Sequence, residues 1–329
     1  MQRCAILIAL IFGLPVSSAS ASPDRWKLQG WKTDFGKSLI SWDEIFSGGP
    51  PKDGIPSIDD PKFIPVGDEE ELGPKEPVMS LDIGGDVRAY PLRVLTWHEI
   101  VNDSVGGLPV AVTYCPLCNS GVVFDRRLDG RVLEFGTTGK LRNSDLVMYD
   151  RQTESWWQQF TGEAIVGEFV GKRLTILPAR LESISDFRAR HPDGKVLTPN
   201  NPHTRRYGSN PYVGYDTSGT PFLYRGELPD GMEPLARVVV VRTDPEMPII
   251  VSMNHLRNLG SLETGGVSLN WRPGQNSALD TGEIAKGRDV GTVEAFRISG
   301  GGTRIAVAYD VTFAFVAHAF HPETPILKD

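Results

Sequence analysis

The chain has 329 residues, 40% of them apolar, with a formal net charge of −7 and three cysteines. An acidic balance without basic blocks argues against nucleic acid as a partner, and this length buries a substantial core without disulfide staples. Three cysteines are too few for a disulfide scaffold, so the pair in Cys115-Pro116-Leu117-Cys118 is expected to have a special use.

Residues 1–21 carry Arg3, an apolar stretch from Ala5 through Leu14, and the small residues Ala19-Ser20-Ala21, the pattern of a cleaved export signal. The expected mature chain begins near Ser22 with a net charge of −8, since Arg3 is the one charge removed. No later apolar run reaches bilayer-spanning length, so a periplasmic or secreted protein without a membrane span after signal cleavage is expected. Residues 22–77 are rich in Pro, Gly and acids and read as an extended arm, pinned to the body by Trp26, Trp31, Trp42 and Phe46.

From Val78 the pattern turns to short strands. Val78–Ile83 and Val87–Tyr90 flank a Gly84-Gly85-Asp86 turn and predict a hairpin. Pro91 opens a helix in which Leu92, Leu95, His98/Glu99 and Val101/Asn102 keep helical spacing, with a stop at Asn102-Asp103 and Gly106-Gly107. The segment His98-Glu99 lacks the second histidine of a zincin helix, because Asn102 stands in that place. Strands are predicted on both sides of the cysteine turn, at 124–129 and 132–135, at 146–149 and at 173–177, with a helix at 181–190. Of the adjacent Trp156 and Trp157, one is expected in the core and one along a cleft.

Residues 199–234 read as a loop region in which Tyr207, Tyr212, Tyr215 and Tyr224 can pack. The remaining chain repeats the earlier order in weaker form: Gly265-Gly266 echoes Gly106-Gly107, and His321-Pro322 echoes His191-Pro192. The predicted fold is therefore α+β and strand-dominated, two pseudo-repeated lobes built from hairpins with a few short helices. The main domain covers 78–329, with a first lobe at 78–200, a connecting region at 201–234 and a degenerate second lobe at 235–329 that has no cysteine.

Pro116 stiffens the backbone between Cys115 and Cys118, so both sulfurs can point to one side. Two thiolates at this spacing suit zinc or copper, with further ligands from elsewhere. They also suit a redox dithiol, and the plain reading is a structural pair. His98 is the first candidate for a third ligand, with His255, His318, His203 and His321 behind it. Glu99, Arg142, Asn143, Asp145, Trp157, Gln158 and Glu163 are candidate pocket residues. The polar run from Gly136 to Asp145 reads as a loop that could wall such a pocket.

The runs Ala89-Tyr90-Pro91-Leu92, Trp97-His98-Glu99-Ile100-Val101-Asn102-Asp103, Val112-Thr113-Tyr114-Cys115-Pro116-Leu117-Cys118 and Leu146-Val147-Met148-Tyr149-Asp150 resemble the bacterial family called domain of unknown function 3179, over most of the chain from about Val78. That resemblance implies an exported bacterial protein and carries no activity, substrate or cofactor. The residues themselves point to an exported metal-binding protein or metalloenzyme acting on a small-molecule or protein substrate. The alternatives are a thiol–disulfide oxidoreductase, in which His98 or Arg142 would favour the thiolate, and a non-catalytic ligand-binding module.

Overall fold

A computed structural model describes residues 22–244 and 247–328, and the export signal expected at 1–21 lies outside them. The arm opens with α1 (Pro23–Leu28), capped by the Ser22 hydroxyl, which accepts the Arg25 N–H. It then contributes β1 (Ile45–Ser47) and β2 (Lys62–Pro65) to two different sheets. Trp26, Trp31 and Phe35 close over Trp156 with ring centroids 4.8, 5.2 and 5.3 Å away, so the arm is fastened by aromatic burial. Among the described residues no helix is long and apolar enough to cross a membrane.

The first lobe runs β3 (Pro77–Ile83), β4 (Asp86–Pro91), α2 (Leu92–His98), β5 (Ile100–Val105), β6 (Leu108–Cys115) and β7 (Ser120–Asp125). The hairpin β8 (Arg127–Leu128) and β9 (Arg131–Val132) follows, then β10 (Phe135–Arg142), β11 (Asp145–Asp150), β12 (Trp156–Gln158) and β13 (Ala164–Val166). It ends with β14 (Ile176–Leu177), β15 (Arg180–Ser183), α3 (Ile184–Arg190) and β16 (Lys195–Thr198). Its three larger sheets have the orders β15-β3-β4-β16-β2, β14-β7-β6-β5 and β1-β10-β11-β12-β13, and β8 pairs with β9 alone.

The second lobe runs β17 (Arg237–Val241), β18 (Ile249–Ser252), α4 (Met253–Leu259), β19 (Ser261–Thr264), β20 (Val267–Arg272), β21 (Thr292–Ile298), β22 (Arg304–Ala306), β23 (Tyr309–Phe313), α5 (Ala314–Phe320) and β24 (Ile326–Leu327). Its sheet β23-β17-β18-β24 repeats β15-β3-β4-β16 strand for strand. Both sheets are antiparallel except for a final parallel pair, β4 with β16 and β18 with β24. The antiparallel trio β19-β20-β21 repeats β5-β6-β7. The turn glycines agree as well, with φ 55° and 80° at Gly106 and Gly107 and 55° and 73° at Gly265 and Gly266. The chain is thus a strand-rich α+β protein of two pseudo-repeated lobes. In place of the cysteine turn, the second copy has the connection 273–291.

Five local expectations need correction. Helix α2 stops at His98 and Ile100–Val105 is a strand, because Glu99 adopts φ 59° and breaks the helical path although the apolar spacing continues. The polar run from Gly136 onward forms most of β10, whose register shifts between Thr137 and Lys140, a bulge that accommodates the glycines. Trp156 and Trp157 are both fully buried, because the arm covers the face that one of them would otherwise expose. The stretch 181–190 starts as strand β15 and becomes helix at Ile184, and of 173–177 the strand keeps Ile176–Leu177.

One apolar core spans both lobes, joining Cys115, Cys118, Phe124 and Phe160 of the first to Val238, Phe313 and Phe315 of the second. Each such fully buried side chain contributes about 1.5–3 kcal/mol over leaving it exposed. The cysteine turn therefore sits at the junction of the lobes.

Candidate metal centre

Cys115 ends β6, and Pro116–Cys118 form a single 3₁₀ turn that Asn119 closes at φ 50°, ψ 32°. Proline at the first turn position loses no hydrogen bond there, and asparagine tolerates the left-handed conformation. The second lobe fixes the turn from behind. Asn119 Nδ2 donates to the Val311 carbonyl at 2.9 Å and Thr312 Oγ1 to the Cys118 carbonyl at 2.8 Å. Ser120 Oγ and the Gly121 N–H donate to the Asp310 carboxylate at 2.5 and 3.1 Å.

Opposite the turn, Asn143 and Ser144 link β10 to β11 with φ 52° and 64°, the two positive φ values of a type I′ hairpin. That tight link aims the Ser144 carbonyl at both thiols, with Cys115 Sγ at 3.8 Å and Cys118 Sγ at 3.5 Å. Asp145, the first residue of β11, is fully buried beside them. The two sulfurs and an Asp145 carboxylate oxygen all lie within 4.8 Å of one another. Asp145 Oδ2 accepts Gln158 Nε2 at 2.6 Å and the Phe160 N–H at 2.9 Å, whereas Oδ1 has no hydrogen-bond partner.

Burial governs the electrostatics. It pushes the Cys115 thiol up and the Cys118 thiol well up, in each case reinforced by neighbouring acids. It raises Asp145 to about 6, against the pull of its bonds from Gln158, Phe160 and the Cys118 thiol. Glu99 is raised to about 8 by burial and by the charge of Asp145. Arg242 is buried 3.8 Å from Asp310, its guanidinium 4.5 Å from the Phe160 ring centroid, and its charge acts on both Asp310 and Asp145.

A cover comes from the connecting region. Tyr212 and Tyr215 pack against the core that holds both cysteines. Their segment is tied down by the Gly214 N–H to the Asp280 carbonyl (2.6 Å) and by Asp216, which accepts Arg237 Nη2 at 2.8 Å, Ser277 Oγ at 2.5 Å and Arg288 Nη2 at 2.9 Å. Burial alone would raise Asp216, but Arg237, Ser277 and Arg288 outweigh it and hold the carboxyl low.

The structure brings Cys115, Cys118 and Asp145 to one place, with Gln158 bonded to Asp145; Glu99 stays outside that group, and its charge acts on Cys115 and Asp145 from a distance. His98 lies elsewhere: its Nδ1 contacts the Pro56 carbonyl and its Nε2 the Tyr207 hydroxyl, each at 2.7 Å, with the ring stacked on Tyr207. Among the described residues the cluster contains no histidine. Arg142 donates to Glu44 Oε2 at 2.7 Å and reaches Gln158 Oε1 at 3.4 Å, and Asn143 serves the hairpin turn. Trp157 donates Nε1–H to Asp150 Oδ2 at 2.9 Å in the core, and Glu163 pairs with Arg173 at 3.4 Å. Sequence reasoning held Asp145 as a pocket residue only, and missed Arg242, Asp310 and the covering role of Tyr212 and Tyr215. The tyrosine-rich composition of 207–224 was the one signal that pointed to the last.

Two thiols and one under-bonded carboxylate, converging at the junction of duplicated strand-rich lobes, define a protein built around a buried, thiol-containing polar centre. A family model described as "Protein of unknown function (DUF3179)" matches residues 52–324, and the chain belongs to that family. No curated protein and no solved structure matches it.

Proposed function

We propose that this is an exported metal-binding protein whose ion, zinc or copper, is held by Cys115, Cys118 and Asp145. The observation that carries this reading is the convergence of the three donor atoms within 4.8 Å, with Asp145 Oδ1 lacking a partner. A tetrahedral zinc holds sulfur at about 2.3 Å and oxygen at about 2.0–2.2 Å, so its donors stand roughly 3.5 Å apart. A small contraction of the cluster meets that spacing. An ion at this centre would have to displace the protons that burial keeps on the sulfurs, so its binding would be pH-dependent. The raised thiols weigh against a thiol–disulfide oxidoreductase, which needs a lowered thiol pKa.

Two open cavities, of about 710 and 520 Å³, are lined by other residues. A substrate reaching the buried cysteines would have to pass the Tyr212–Tyr215 segment that packs against them. Export is proposed from the pattern of residues 1–21 alone, and N-terminal sequencing of protein recovered outside the cytoplasm tests it.

Elemental analysis of protein purified without chelator tests the metal. One ion per chain, lost in Cys115→Ser/Cys118→Ser and depleted in Asp145→Asn, is the expected result. A metal-free wild type carrying a Cys115–Cys118 disulfide would replace this reading with the thiol one.

A further inference from the structure

The larger open cavity, about 710 Å³, has neither a cysteine nor Asp145 in its lining, and the metal reading makes no use of it. Its size falls within the roughly 300–1,000 Å³ of small-molecule sites. Ile64 of β2, Leu72, Val94 of α2 and Leu197 of β16 give it apolar surface. Its charges come from two segments of opposite sign: Asp68, Glu70 and Glu71 in the arm, and Arg205 and Arg206 in the connecting region.

These charges do not neutralise one another. Among the described residues the side chains of Asp68, Glu70, Arg205 and Arg206 have no ion pair and no hydrogen bond, and Glu71 comes no closer than 3.9 Å to Arg93. Arg93 also lines the cavity, but its charge is already matched: Nε donates to Glu76 Oε2 at 2.8 Å, Nη2 donates to Oε1, and Glu76 is 1% exposed. The surplus on each side persists because each segment is anchored to the body rather than to the other. On the acidic side the Glu69 carboxylate accepts the Glu71 and Leu72 N–H groups at 2.7 and 2.9 Å, and Arg188 Nη2 donates to the Glu69 carbonyl at 2.8 Å. On the basic side the Tyr207 hydroxyl meets His98 Nε2 at 2.7 Å, and the Gly208 carbonyl accepts the Ile284 N–H at 2.9 Å.

Single unpaired charges are ordinary on a surface. Two unpaired sets of opposite sign, sharing one cavity with apolar side chains, suit a ligand that brings both counter-charges itself, because charges fixed before binding favour a partner of complementary polarity. We infer that this cavity binds a short peptide with free termini, its ammonium toward Asp68, Glu70 and Glu71, its carboxylate on Arg205 and Arg206, and apolar side chains against Ile64, Leu72, Val94 and Leu197. Guanidinium groups match a carboxylate in geometry as well as in charge. A single amino acid carries the same two charges but leaves most of a cavity of this size empty, whereas such sites enclose the greater part of their ligand's surface. The inference stands whether or not Cys115 and Cys118 hold an ion.

The test is isothermal titration calorimetry of the full mature chain with trileucine, N-acetyl-trileucine and trileucine amide. Trileucine should bind, and each blocked form should bind roughly tenfold more weakly or worse, the loss expected when one charge-assisted contact goes. The blocked peptides probe both ends in the unaltered protein. Arg205→Ala/Arg206→Ala should make trileucine and its amide bind alike, and Asp68→Asn/Glu70→Gln/Glu71→Gln should do the same for trileucine and its acetyl form, with melting temperatures as in wild type. No binding of trileucine at millimolar concentration, or equal affinity for all three forms, would overturn the proposal. Free leucine binding as tightly as trileucine would overturn the peptide as ligand.

Discussion

Replacing Glu99 by glutamine in metal-free protein should flatten the pH dependence of stability. In the fold Glu99 keeps its proton up to about 8, while the unfolded chain releases it near the ordinary value of 4.5. Between those values the native state binds the extra proton, so stability falls as pH rises through the window. At about 1.4 kcal/mol per pH unit the penalty grows from roughly 1 kcal/mol at pH 5 to roughly 4 kcal/mol at pH 8. For a chain of this size each kcal/mol moves Tm by about 2 °C, so the Tm advantage of Glu99→Gln over wild type should widen by about 6 °C between pH 5 and pH 8. Scanning calorimetry of the two proteins, stripped of metal and held reduced, reads this directly. Parallel Tm curves across that range would refute the argument, because they would mean that the Glu99 carboxyl is already ionised or solvated in the fold.

Asp216→Asn removes the charge that faces Arg237 and Arg288 and should destabilise the protein by about 3–5 kcal/mol, as breaking a buried pair does; it should also speed the reaction of native Cys115 and Cys118 with a thiol reagent, read as the rate of colour release. Gly139→Ala should lower stability by on the order of 3 kcal/mol in a denaturant titration, through backbone strain at positive φ and a new Cβ 1.9 Å from the Pro50 carbonyl oxygen. Lys140 is pushed down to about 8 by burial, and its amine lies 5.6–5.7 Å from the ring centroids of Trp26, Trp31 and Trp156. The unfolded chain then binds the extra proton between pH 8 and 10.5, so stability from this group should rise with pH in that window, and Lys140→Met should abolish the rise in thermal melts.

The cysteine turn was legible because its signals are local: Pro116 between two sulfurs, β-branched residues before and after. The repeat was legible through punctuation, since the Gly-Gly turns and the His-Pro pairs recur even where the intervening residues have diverged. Helical periodicity failed at Glu99 because spacing records which side chains are apolar, and one residue at positive φ ends a helix without disturbing that record. The strand β10 hid behind Gly136 and Gly139, whose need for close approach to Tyr149 and Pro50 exists only in the folded chain. Asp145 as a partner of the thiols could not be read either, because a non-local strand pairing brings residue 145 to residues 115 and 118. The parallel pairing of β16 with β4 lies beyond sequence pattern for the same reason.

The bonds from Val311 and Thr312 to the cysteine turn link residues 192 and 194 positions apart. A chain that is made, and on the export reading delivered, N-terminus first has both thiols in place long before the residues that lock their turn. Until that last strand arrives, Cys115 and Cys118 are open to oxidants and to passing ions. On the metal reading, an ion and an oxidant would compete for the same pair before the second lobe locks the turn.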